Sequence, residues 1–108
     1  QVVSTPEPGL ALAGFGRRDA PVDSGMPVPL WLRPATGAGE QHDIRGRVEV
    51  AKLDDQHAYL HPEPGIELRP GDLVCLGISH PCTTFDKWHW MPVVDEDTRV
   101  IDAVTIHF

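Results

Sequence analysis

The sequence predicts a small all-β domain, a β-barrel or sandwich of about six to eight short strands. Three observations carry this prediction. Ten glycines and eleven prolines among 108 residues exceed the usual combined share of about 12% and disfavour a helical bundle. No long window repeats apolar side chains with the helical period. Short apolar runs alternate instead with Gly- and Pro-rich turns, which is typical of sandwiches and barrels.

Prolines divide the first third of the chain into short extended pieces. Val2–Val3 and Leu10–Ala13 are the first two strand candidates, and residues 14–19 are expected to form a turn or loop. The segment 27–32 is predicted to be an edge strand, because its prolines donate no hydrogen bond to a neighbouring strand. A polar, glycine-containing loop is expected over residues 36–41.

Clearer strand signals begin after residue 41. Val48 and Val50 alternate with charged residues, which is the period of a half-buried strand. A Pro-Gly turn at 70–71 precedes a continuous apolar run of strand length. The last strand would place Val100, Val104, Ile106 and Phe108 on one face. The strand candidates of this part are residues 44–52, 57–60, 73–78, 92–95 and 100–108.

Charge and cysteine content exclude several classes of protein. The formal net charge is −7, and an acidic domain without a Lys/Arg stripe is not expected to bind nucleic acid. No apolar run approaches the roughly 20 residues of a membrane span. Cys75 and Cys82 do not form a disulfide framework, so reduced thiols in the cytoplasm are expected. A bridge between them across a hairpin is the alternative.

The densest cluster of unusual residues is segment 79–90, directly after the apolar run. His80 and Cys82 are two positions apart, so an extended backbone would place both on one face, with Cα atoms about 6.6 Å apart. Imidazole and thiolate together suit zinc better than magnesium or manganese. Further ligands would come from water, substrate or another part of the protein. The alternative is a hydrogen-bonded histidine and a buried cysteine at a strand end, which Pro81 would mark.

Other side chains have simpler interpretations. His57 and His61 straddle a strand candidate and need not share a face, and His89 lies between two tryptophans. Cys75 lies inside the apolar strand and is expected to be a core residue. Residues 95–97 are expected to form a solvated turn. A nucleophilic Cys82 paired with histidine lacks a third, orienting group.

The segment Gly-Ile-Ser-His-Pro-Cys-Thr-Thr-Phe-Asp-Lys-Trp at 77–88, followed by Pro-Val-Val-Asp at 92–95, resembles the C-terminal domain of the D-serine dehydratase-like family. These are fold-type III pyridoxal-phosphate enzymes related to alanine racemase and D-threonine aldolase. Segment 23–27 is similar to the family's Asp-x-Gly-x-Pro pattern, and 70–72 to its Pro-Gly-Asp turn. Segment 55–60 is similar to its Glu-His-Gly-x-Leu pattern, with glutamine and alanine replacing Glu and Gly.

The resemblance implies a longer enzyme, which the non-methionine first residue also suggests. An N-terminal TIM barrel would bind pyridoxal phosphate through a lysine, and residues 1–108 would be the β-domain after it, with 1–13 as the junction. His80 and Cys82 match the family's zinc ligands, and His57 is a candidate active-site neighbour. The zinc would act on the β-hydroxyl of a D-3-hydroxy amino acid such as D-serine, giving a keto acid and ammonia.

The aldolase branch has His-x-Asp at this position and prefers a harder metal, so Cys82 favours zinc and dehydration. The resemblance also implies a homodimer. No cofactor-binding residue is expected in this chain, whose lysines are Lys52 and Lys87, so the chain alone should be inactive. The alternatives are a non-catalytic metal-binding or interaction β-domain, and a small β-domain in which His80 and Cys82 only pack.

Overall fold

The computed structural model describes residues 1–36 and 39–108, which contain nine strands and one five-residue helix. This confirms the all-β prediction. Gly37 and Ala38 of the loop expected over residues 36–41 lie outside the described residues. The elements are β1 (Val2–Glu7), β2 (Leu10–Ala13), β3 (Val28–Arg33), β4 (His42–Asp43), β5 (Val48–Leu53), β6 (Ala58–Pro62), β7 (Leu73–Gly77), α1 (Cys82–Asp86), β8 (Trp90–Val94) and β9 (Val100–Thr105).

The strands form three antiparallel sheets. The first has the order β1-β2-β6-β5, the second the order β4-β3-β7, and the third is the β8-β9 hairpin. Strand β3 contacts β5, which joins the first two sheets into a sandwich-like arrangement. The described residues do not form a closed barrel. Of the two predicted architectures, barrel and sandwich, the structure therefore fits the sandwich. None of the helices in residues 1–36 and 39–108 is long and apolar enough to cross a membrane.

The core lies on the inner face of the first sheet. Val48 and Val50 are buried as the alternating pattern predicts, and Glu49 between them is exposed. A register shift between Val50 and Lys52 then changes which face each side chain takes, so that Leu53 rather than the lysine is buried. The remaining core members come from six segments: Val2, Ala11, Ala13, Leu32, Ile44, Ala58, Leu60 and Leu68.

The prediction of an edge strand at 27–32 is wrong for part of its length, because β3 lies between β4 and β7. Strand β4 pairs only with Trp31 and Leu32. The proline end of β3 therefore has a neighbour on one side, and the register against β7 shifts between Pro29 and Trp31. The missing N–H of Pro29 is tolerated at this irregular, half-paired end.

Several features differ from the sequence prediction. Strand β1 continues through Pro6, and the turn is at Pro8-Gly9, where Gly9 has a φ of 77° that favours glycine. Strand β9 ends at Thr105, whereas residues up to 108 were expected. The short strand β4, whose two residues carry little pattern, raises the count to nine. Helix α1 was not expected from the sequence.

The β8-β9 hairpin is attached to the sandwich near its tip. The Arg33 guanidinium donates through Nη1 to the Thr98 hydroxyl at 2.5 Å and through Nη2 to the Glu96 carbonyl at 2.6 Å. The apolar side chains of the hairpin remain largely uncovered, and Trp90 and Ile101 are 59% and 64% exposed. An uncovered apolar surface of this kind is typical of a face that packs against another part of a protein.

Gly16 lies directly against the backbone of the β5-β6 turn. The amides of Arg17 and Arg18 donate to the carbonyls of Asp54 at 2.9 Å and Asp55 at 3.2 Å. A Cβ at residue 16 would lie 2.3 Å from the Asp54 carbonyl oxygen and 2.5 Å from the Asp55 carbonyl carbon. These are backbone atoms of a hydrogen-bonded turn, so they cannot rotate away. Only glycine fits this contact.

We expect Gly16→Ala to lower the free energy of unfolding by about 1–3 kcal/mol or more, because the added methyl group forces two backbone segments apart. Thermal unfolding followed by circular dichroism measures this as a lower Tm. Gly77→Ala is the matched control, since its Cβ would meet the Leu30 side chain at 3.7 Å and the Val28 carbonyl oxygen at 4.0 Å, which are ordinary contacts. Equal Tm values for the two variants would contradict the assigned role of Gly16.

Candidate metal centre

The two candidate zinc ligands lie at the start of a helix and not along a strand. Strand β7 ends at Gly77, and Cys82 is the first residue of α1. Pro81 has φ −82° and ψ −19°, which are helical values. The extended backbone expected between His80 and Cys82 is therefore wrong. Proline suits the beginning of a helix as well as the end of a strand, because its missing N–H is not needed there.

Two segments distant in sequence meet at this place. We call residues 14–25 the site loop and residues 79–88 the His-Pro-Cys segment. The Ser79 hydroxyl donates to the Gly25 carbonyl at 2.9 Å. Gly25 has a φ of 122°, in the region that favours glycine. The structure thus joins two motifs that the sequence shows separately, the Asp-x-Gly-x-Pro pattern and the His-Pro-Cys pattern.

The His-Pro-Cys segment rests on the site loop through two further hydrogen bonds, one from helix α1 and one from Trp88. The Thr84 hydroxyl donates to the Asp19 carbonyl at 3.0 Å, and the Trp88 indole N–H donates to the Arg18 carbonyl at 3.3 Å. The Arg18 guanidinium lies 5.9 Å from the centroid of the Trp88 ring, within cation–π range. The Asp19 carboxylate accepts the Gly16 amide at 3.0 Å, which keeps the loop in this shape.

The histidine of the candidate pair is hydrogen-bonded to a carboxylate. Nδ1 of His80 lies against Oδ2 of Asp23. This hydrogen bond lowers the pKa of Asp23 below its usual value, so the carboxylate is ionised at neutral pH. Because an ionised carboxylate can only accept hydrogen bonds, Nδ1 is the ring nitrogen that carries a proton in this contact, and in the neutral ring the lone pair is then on Nε2. The imidazole is 39% exposed.

The donor set is suited to zinc. Cys82 is an exposed free thiol, and a thiolate with a neutral imidazole is a common partial ligand set for this ion. Within residues 1–36 and 39–108, no three His, Cys, Asp or Glu side chains are grouped to hold a metal. His80 and Cys82 would therefore be two ligands of a site whose remaining positions are filled from elsewhere.

The comparisons with known proteins agree with these motifs. A family model described as "Putative serine dehydratase domain" matches residues 1–94. The chain belongs to this serine dehydratase family. The match confirms the resemblance to D-serine dehydratase-like proteins that the His-Pro-Cys pattern indicated. A search of the curated proteins found no match.

One solved structure similar to this serine dehydratase domain is the D-threonine aldolase from Filomicrobium marinum. The two share 23% sequence identity with a TM-score of 0.68. The match covers 94% of this chain and 24% of the aldolase chain. It shows a common fold, and the domain described here spans about a quarter of that protein.

His57 of the serine dehydratase domain lies close to the site loop. It lines a cavity of about 290 Å³ together with Gly14, Arg18, Asp19, Gln56 and Trp88. A second cavity of about 470 Å³ shares Asp19 and Trp88 with the first. Its other lining residues are Thr84, His89, Trp90, Met91 and Pro92. His57 and His89 therefore each line a cavity that Trp88 also lines.

The remaining candidates lie elsewhere. His61 lines a cleft different from the cavity that His57 lines, together with Met26 and Glu63. Cys75 is half-buried in β7, and burial raises the pKa of its thiol. Both cysteines are free, which excludes a Cys75–Cys82 bridge in this structure. Residues 95–97 form the expected exposed turn, in which Asp95 Oδ1 accepts two backbone amides.

Both lysines of the domain are paired with carboxylates. Lys52 Nζ lies 3.0 Å from Asp54, which raises the pKa of the lysine. Lys87 Nζ lies 3.5 Å from Asp86 and donates to the Thr83 carbonyl at 3.1 Å. A protonated, paired amine is a poor nucleophile.

Sequence analysis did not identify Asp19, Asp23 or Trp88 as residues of this site. Their contacts join positions 57 to 70 apart in the sequence, which no local period or spacing reveals. The two family patterns contained Asp23 and Trp88 without indicating their partners.

The hydrogen bond from Thr84 to the site loop can be tested with a matched pair of variants. Thr84→Val keeps the side-chain shape but removes the donor, so local opening of α1 should become easier by about 0.5–1.5 kcal/mol. Hydrogen exchange of the Phe85 amide, which donates to Pro81 at 3.1 Å, should then be about 2- to 12-fold faster. Thr83→Val is the control, because its hydroxyl donates to no group among the described residues. Unchanged exchange in Thr84→Val would count against the contact.

Proposed function

We propose that this chain is the metal-bearing C-terminal domain of a dehydratase that depends on pyridoxal phosphate and zinc. The substrate would be a D-3-hydroxy amino acid such as D-serine, and the products a keto acid and ammonia. Membership of the serine dehydratase family over residues 1–94 carries this proposal. Two observations support the metal-binding part. The Asp23 carboxylate contacts the His80 ring, and Cys82, two residues after His80, has an exposed free thiol.

The proposed roles of this chain follow from its side chains. When bound, zinc would supply a Lewis acid for the departing hydroxyl and pyridoxal phosphate a reservoir for the carbanion charge. His80 and Cys82 would hold the metal, and the single thiolate would neutralise only one of the two charges of the ion, which would leave it a Lewis acid for the departing oxygen. Arg18 and His57 line one cavity, and a cation in that place supports a small substrate with a carboxylate.

The rest of the enzyme would lie outside this chain. We propose an N-terminal TIM barrel in the same polypeptide, which binds pyridoxal phosphate through a lysine, with residues 1–13 at the junction. The 24% coverage of the aldolase chain and the pairing of Lys52 and Lys87 with carboxylates support this arrangement. The uncovered β8-β9 hairpin offers a surface for the barrel. A homodimer and a cytoplasmic location, which suits two free thiols, belong to the same proposal.

Metal binding can be tested by cobalt substitution. We expect Co²⁺ to give a thiolate-to-cobalt charge-transfer absorption in the wild-type chain, because Cys82 would be a ligand. Cys82→Ala should abolish this band, and Cys75→Ala should retain it, since Cys75 lies half-buried in a strand. A band that persists without Cys82, or that needs Cys75, would contradict the proposed site.

The division between the two parts of the enzyme gives a second test. The pure chain with pyridoxal phosphate, zinc and D-serine should release no pyruvate, because the cofactor lysine would be absent. The chain joined to the region encoded upstream should release pyruvate and ammonia, provided that region encodes about 250 residues of βα repeats. Pyruvate from the chain alone would contradict the proposal. An unrelated upstream domain would favour a non-catalytic metal-binding or interaction module.

A further inference from the structure

We propose that Asp23 is a positioning residue that prepares His80 to bind a metal through Nε2. The carboxylate holds the imidazole in one tautomer and in one orientation. This inference rests on the function proposed above, because it concerns the same metal site. The inference adds Asp23 to the residues of the proposed metal site. Asp23 belongs to the site loop and precedes His80 by 57 positions in the chain.

The backbone on both sides keeps the two side chains together. Ser79, the neighbour of His80, donates its hydroxyl to the carbonyl of Gly25 at 2.9 Å. Gly25 follows Asp23 by two residues and takes a φ of 122° that other residues rarely adopt. The loop therefore turns immediately after Asp23 and is fastened at that turn to the residue before the histidine. The carboxylate and the ring face each other because their backbones are joined.

The chemistry of the contact selects one ring nitrogen for the metal. The carboxylate accepts a hydrogen bond, so the proton lies on Nδ1. A metal binds a nitrogen lone pair, which leaves Nε2 as the ligand atom. A carboxylate behind a ligating imidazole fixes the ring and increases its basicity, and the loss of such a partner lowers metal affinity by about 10- to 100-fold.

A plain surface ion pair is the competing explanation. The side chains of His80 and Asp23 are 39% and 51% exposed, and exposed pairs contribute little to stability. Loss of a plain ion pair would change neither the tautomer nor the metal affinity. Asp86 provides a matched control, because it is 38% exposed and pairs with Lys87 in the His-Pro-Cys segment. Its removal takes one negative charge from the segment that carries His80 and leaves the contact between Asp23 and His80 in place.

The tautomer of His80 is measured first, without any metal. In ¹⁵N NMR spectra of the metal-free chain at about pH 8, where imidazole side chains are ordinarily neutral, wild-type His80 should carry its proton on Nδ1. Asp86→Ala should keep this tautomer, and Asp23→Ala should lose the preference for it. A proton on Nε2 in the wild-type chain would overturn the proposal.

The affinity for Zn²⁺ alone is measured next, by competition with a chelator. Asp23→Ala should bind zinc about 10- to 100-fold more weakly than wild type, and Asp86→Ala should stay within about twofold. Asp23→Asn, which keeps the shape of the side chain, should fall between them, and equal Tm values verify folding. Cys82-dependent zinc binding that Asp23→Ala leaves unchanged overturns this inference alone. Absence of Cys82-dependent binding in the wild type overturns the proposed function and this inference together.

Discussion

The missing side chain at Gly16 is the constraint on which the candidate site depends. Without a Cβ there, the site loop approaches the β5-β6 turn closely enough for two backbone hydrogen bonds. Those bonds fix Arg18 and Asp19, whose carbonyls receive the hydrogen bonds of α1 and of Trp88. A larger residue would displace the loop from the sandwich, and the His-Pro-Cys segment would lose its support.

The molecule separates the part that stabilises it from the part suited to chemistry. The fully buried side chains belong to the first sheet and its immediate neighbours, and none comes from residues 79–88 or from the β8-β9 hairpin. The candidate site is held by polar contacts at its edge, each of which contributes modestly. Such an arrangement leaves the side chains of the candidate site exposed to solvent.

The sequence was informative where local periodicity decides structure. The alternation of Val48 and Val50 predicted β5, but the register shift that buries Leu53 depends on pairing with β6 and has no local signal. His80 and Cys82 could be found from residue type and family pattern. The backbone conformation between these two residues could not be predicted, because Pro81 is compatible with a strand end and with a helix start. The pairing of Asp23 with His80 could not be predicted from the sequence, because only the folded chain brings the two residues together.

The long separation of these contacts also has a consequence for the order of folding. Ser79, Thr84 and Trp88 bond to partners 54 to 70 residues earlier, and contacts that close such long loops form slowly. During synthesis the site loop, residues 14–25, is made early, and its partners in residues 79–88 are made only when most of the domain is complete. The contacts of the site can therefore form only after most of the chain has been synthesised. An ion that binds there would act on the folded form and shift the balance against unfolding.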